Sequence, residues 1–135
     1  MAVTSSSVSL TIVNPVTPGN QPANPTSTST YAQYSSTVAS GVTRRITAAR
    51  GAITPPTGCE LRLTATPVSG QGTSAGQIVL SIIAQNIVTG IGGCATGTGA
   101  TNGANLAYTL QINTMTSLVA NQNRSATITL TMTDS

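Results

Sequence analysis

The chain has 135 residues, 5% of them charged, with two acids, five arginines and no lysine, histidine, phenylalanine or tryptophan. That length is one domain's worth, long enough to bury a core of its own. The inventory excludes most acid–base catalysis, which needs a well-placed titrating group, and most metal sites, which need clustered His, Cys or carboxylate ligands. No cofactor and no catalytic residue is expected.

The net charge of +3 comes from arginines spread along the chain, with Arg44 and Arg45 adjacent. Nucleic acid needs several clustered cations, so no nucleic-acid partner is expected. No apolar run reaches the roughly 18 residues of a membrane span, and the start MAVTSSSVSL lacks the basic and apolar regions of a signal peptide. Thr, Ser, Ala, Val and Ile dominate instead, which favours strands around a small-residue core.

In chain order, Ser7–Val13 comes first. Val8, Leu10 and Ile12 alternate with Ser7, Ser9 and Thr11, which predicts a strand with one face seeking a core. Residues 14–27 follow as a Pro/Asn-rich linker. Proline removes ladder donors, and such a tract spans roughly 40 Å at about 3.1 Å per residue. The N-terminal strand therefore reads as a tethered arm (1–13), able to fold back or to reach another molecule. The sandwich domain is placed at 28–135. Tyr31 and Tyr34, just past the linker, are candidates to pack it onto the domain.

VASGVTRRITA is a weak strand. CELRLTA alternates cleanly, with Cys59, Leu61, Leu63 and Ala65 inward and Glu60 and Arg62 as a surface pair outward. QIVLSIIAQNIVTGI is longer and more apolar, the pattern of a central strand that bends or crosses between sheets. NLAYTLQI places Leu106, Tyr108, Leu110 and Ile112 inward. SLVA is weak, and ATITLTMT places Ala126, Ile128, Leu130 and Met132 opposite four threonines. The connecting stretches TPPTG, PVSGQGTSAGQ, GIGGCATGTGATNGAN and VANQNRS read as turns. GTGATNG has neither the spacing nor the strand–helix context of a phosphate loop. Short strands with such punctuation predict an all-β, immunoglobulin-like antiparallel sandwich with a detached N-terminal strand.

Cys59 and Cys94 lie 35 positions apart, outside any CxxC. They read as a disulfide, which implies an oxidising compartment; the alternative is two buried thiols. Asn123-Arg124-Ser125 is a glycosylation sequon in a predicted loop.

With its Thr-rich sandwich and separate N-terminal strand, the chain resembles the subunits of donor-strand-exchange fibres such as chaperone–usher pilins. Through CELRLTA, VTGIGGC…TGTG and the terminal TLTMTD it also resembles small secreted Thr-rich β-sandwich proteins of Bacteroidota. The first resemblance implies an extracellular, cell-surface filament of identical subunits, with Val8, Leu10 and Ile12 entering a neighbour's groove and an assembly chaperone as a possible partner. A monomeric adhesin or carbohydrate-binding module is the alternative, and a virion or surface-lattice subunit a weaker one.

Overall fold

The computed structural model describes residues 1–12, 17–117 and 125–135. Among these residues eleven strands form: β1 (Ala2–Val3), β2 (Thr26–Gln33), β3 (Ser35–Ser36), β4 (Arg44–Arg50), β5 (Cys59–Thr66), β6 (Thr73–Ser74), β7 (Ile78–Val79), β8 (Gln85–Ile91), β9 (Cys94–Ala95), β10 (Ala104–Ile112) and β11 (Ile128–Asp134). One short 3-10 turn spans Met115–Ser117, and no α-helix occurs among the described residues. The expected all-β class holds, in an antiparallel sandwich.

The larger sheet has the order β1-β2-β10-β5-β7 and the facing sheet β11-β4-β8-β6, with a small β3-β9 ribbon beside them. β5 packs across to β8 and β6. That leaves β1 and β2 on the same flank as β11 and β4.

Alternation builds the core. β10 is buried at every second position, and on β5 the same rhythm puts Leu63 and Ala65 at 0% exposure, with Leu61 packed against the core at its margin. From the other sheet come Ile46, Ala48, Ile87, Val88 and Ile91. Aliphatic side chains fill the space that aromatics usually occupy, with Tyr34 and Tyr108 the aromatic members of the cluster.

The apolar run 77–91 is two strands. β7 belongs to one sheet and β8 to the other, so the expected crossing between sheets occurs at residues 80–84. Leu80 is buried there, while Ile82 and Ile83 face solvent at 68% and 73%. Arg50 clamps the crossing. Its Nε donates to the Leu80 carbonyl at 3.2 Å, and its Nη1 donates to the carbonyls of Gly51 and Ile53 at 3.0 and 3.2 Å.

Two expectations fail. Ser7–Val13 is not a strand: residues 7–12 form no ladder, and Val13 lies outside the described residues. Conversely, β2 begins at Thr26, inside the stretch read as linker. TSTSTYAQ lacks the apolar alternation that marks a strand, and its ladder to β10 supplies the order instead. Of SLVA, Ser117 ends the 3-10 turn and the rest lies outside the described residues.

Gly103 sets the entry to β10. Its φ is +106°, and a Cβ built there would run into the carbonyl of Ala32 on β2. Glycine adopts this conformation freely, whereas other residues are strained in it. Gly103→Ala is therefore expected to cost at least about 2 kcal/mol, read as a lower urea midpoint with unchanged m. A midpoint equal to the parent would show that β2 and β10 adjust freely.

Candidate functional site

The N-terminal arm and the flank it covers are the feature most easily tied to a function. Ala2 and Val3 pair with Gln33 and Ala32 at the edge of the larger sheet. Thr4 continues this by one step: its N–H donates to the Tyr31 carbonyl at 2.9 Å. The Tyr31 N–H donates back, but to the Thr4 hydroxyl, also at 2.9 Å. A side chain here takes the place of the main-chain acceptor that a continuing ladder would need. The ladder from β1 ends at this step.

Beyond Thr4, no main-chain hydrogen bond ties residues 5–12 to a strand among the described residues. The alternation survives without the ladder. Val8, Leu10 and Ile12 are half-buried, while Ser7, Ser9 and Thr11 are exposed. Val8 and Leu10 pack against the core. The inner residues of β11, namely Ile128, Leu130 and Met132, meet the same core and are likewise only half-buried. Their neighbours on β4, Ile46 and Ala48, are at 0%. The sandwich is thus sealed at its centre and loosely covered along the arm flank.

The return from the arm is anchored by Asn24. Its Oδ1 accepts from the Ile112 N–H at 3.0 Å, and its Nδ2 donates to Gln111 Oε1 at 3.1 Å. In the sequence Asn24 stands only within the linker, and its place just before Pro25 is the available signal. Tyr34 does not pack the linker. It is 3% exposed in the core, and its hydroxyl donates to the Gln71 carbonyl at 2.7 Å. Tyr31, on the sheet's outer face, holds the arm through its main chain.

Cys59 and Cys94 are both free and half-buried, so the expected disulfide is not made. Cys59 sits opposite Ile112 at one end of β10. Cys94 pairs with Ser36, beyond the end where Ala104 meets Ala32. Those ends are about eight residue steps apart, roughly 25 Å at 3.3 Å per step, far beyond the roughly 7 Å a disulfide tolerates. Burial raises both thiol pKa values. Asn123 of the sequon lies outside the described residues, as do Asn14, Pro15 and Arg124.

A polar cluster covers one end of the larger sheet's outer face. Glu60 Oε1 accepts from Arg62 Nη2 at 2.6 Å and from Asn113 Nδ2 at 2.8 Å, and Arg62 Nη1 donates to Gln77 at 3.3 Å. At the other end, a recess of about 380 Å³ opens between Met1–Ala2 and Ala95–Thr98. The titratable side chain in its lining is Tyr34, which burial, helped by the nearby Cys94, pushes up to about 12. It stays protonated at neutral pH and offers no general base there. No group of three metal-ligating side chains occurs among the described residues.

Comparison with protein-family models, with curated proteins and with solved structures returns no match.

The Arg62 guanidinium, then the Asn113 amide, hold the Glu60 carboxyl below the usual carboxylate range. A depressed folded value means this contribution is present above the unfolded pKa, about 4.3, and is lost as pH falls through the folded one. Glu60→Gln is therefore expected to be less stable than the parent at pH 7 and to show a flatter acid limb, the two curves converging as pH falls below about 4.3. Parallel curves for the two proteins in urea titrations from pH 2 to 7 would contradict this.

Proposed function

We propose that this chain is the structural subunit of an extracellular filament, and that its N-terminal arm passes between neighbouring copies. The observation that carries this reading is the manner in which the arm is held. Two ladder pairs and one further main-chain bond fix its start, and among the described residues half-buried side chains hold the rest. An arm with alternate apolar residues and few main-chain bonds can leave its own domain and make the same contacts on another. Exchanging an identical element between protomers is a low-cost route to assembly, and it propagates where the exchange is head-to-tail. The tract ahead of the Asn24 anchor, residues 14–23, reaches roughly 30 Å when extended at about 3.1 Å per residue, enough to pass from one copy to an abutting one. The extracellular setting rests on the lysine-free, hydroxyl-rich composition and on the resemblance to fibre subunits. A chaperone that covers the flank until the next arm arrives would suit such a subunit.

A second reading is a monomeric adhesin or carbohydrate-binding module. Its support is that the arm reaches its own flank, and that the Glu60–Arg62–Asn113 cluster presents planar hydrogen-bonding groups on a sheet face.

The test is negative-stain electron microscopy of the intact chain beside a variant lacking residues 1–12 and beside Leu10→Asp. Thin uniform fibres from the intact chain alone are the expected result. A synthetic peptide of residues 1–13 added to the deletion variant should bind it and raise its melting temperature, which separates an open flank from an unfolded domain. Single particles from the intact chain, or fibres from the deletion variant, would overturn the proposal.

A further inference from the structure

We propose that β11 is a pairing site for a second copy of this chain, which joins it edge to edge, antiparallel and about a two-fold axis. This inference stands apart from the arm, because exchange of the arm leaves the β11 edge as it is.

The edges of the two main sheets are not alike. β1, β6 and β7 close three of them and are two residues each. Very short edge strands are a common protection against unwanted strand addition, as are lysine and proline on the edge. β11 forms the fourth edge. It is seven residues long, ITLTMTD, with neither proline nor lysine.

The open main-chain groups of β11 can be assigned. Gly51 N–H donates to the Thr127 carbonyl, and Ser135 N–H donates to the Thr43 carbonyl, at 2.8 and 3.0 Å. Antiparallel pairs alternate between bonded and unbonded positions. Thr129, Thr131 and Thr133 therefore bond to Ala49, Thr47 and Arg45 on β4, with which they pair. Ile128, Leu130, Met132 and Asp134 turn their N–H and C=O groups to the free edge. No main-chain partner meets them there among the described residues.

The strand is complementary to itself. Centred on Thr131, a two-fold pairing uses its whole length and sets Ile128 against Asp134 and Leu130 against Met132 in bonded positions. Thr129 then meets Thr133, and Thr131 meets Thr131 of the second copy, in unbonded positions on the outer face. Thr–Thr pairs across strands are favourable, and no like charges oppose each other. The pairing also extends cover over Leu130 and Met132, which the arm leaves half-exposed. The result is one continuous eight-stranded sheet across two copies.

The test uses the full chain carrying Thr131→Cys or, as the register control, Thr129→Cys. Oxidised glutathione accepts the two electrons and two protons released as the two thiols join, and the unmodified chain sets the baseline for Cys59 and Cys94. In unbonded antiparallel pairs the Cβ atoms approach to about 4.5–5.5 Å, close enough for a bridge. Thr131→Cys should give a covalent pair on a non-reducing gel on the order of a thousandfold faster than Thr129→Cys, because partners held together react at an effective concentration near millimolar rather than micromolar. A chain that stays single with Thr131→Cys, or equal rates for the two variants, would overturn the proposal. Fibre loss on removing residues 1–12 bears on the arm alone and leaves this readout unchanged.

Discussion

Coverage of the inward-facing side chains along one flank is the constraint on which the rest of this structure depends. The core is built without phenylalanine or tryptophan, so each buried position contributes a modest apolar area. At the centre, where β10 lies between β2 and β5, the two sheets shield one another and exposure falls to zero at Leu63, Ala65 and Leu106. On the flank of β2 and β11 there are too few residues in the two sheets to do the same. Val8 and Leu10 supply what is missing from outside the ladders. Since burial stabilises by roughly 25 cal/mol per Å² of apolar surface, two half-buried side chains matter to a domain with so lean a core.

Much of this was legible in the sequence. Strict alternation gave β5, β10 and β11 nearly to the residue, because period two in a half-buried strand leaves little freedom of register. The crossing within residues 77–91 was visible as an apolar run too long for one strand. β2 was hidden, because its exposed serines and threonines carry no burial pattern and its strand character comes from pairing with β10. The arm was half legible. Its alternation matches the inward packing of Val8 and Leu10, but the Thr4 hydroxyl that accepts where a ladder would use a carbonyl is not something periodicity reveals. The cysteine pair was misread because an even count carries no distance: the two residues mark opposite ends of the sandwich.

The few charges are used structurally. Arg44 bonds Asp134 at 2.9 Å, closing one end of the β4–β11 pair where the two are register partners, and Arg50 ties the sheet crossing to the loop after β4. Arg62 and Glu60 neutralise each other on the outer face. With these cations bonded to carbonyls and neighbouring carboxylates, the surface is dominated by hydroxyls and amides.

The order of strands in the larger sheet has a consequence for how the chain folds. β10 lies between β2 and β5 although it is the penultimate strand to be made. Its partner Ala32 lies 72 positions before Ala104, and Thr66 lies 39 before Asn105. Loop closure over such separations precedes any reward from pairing, which slows folding of non-local sheets. A chain emerging from a ribosome or a translocation channel thus holds β2 and β5 with unsatisfied edges until residue 112 has passed. The serine- and threonine-rich make-up of β2 suits it to that wait, because a strand of low hydrophobicity is a poor seed for aggregation.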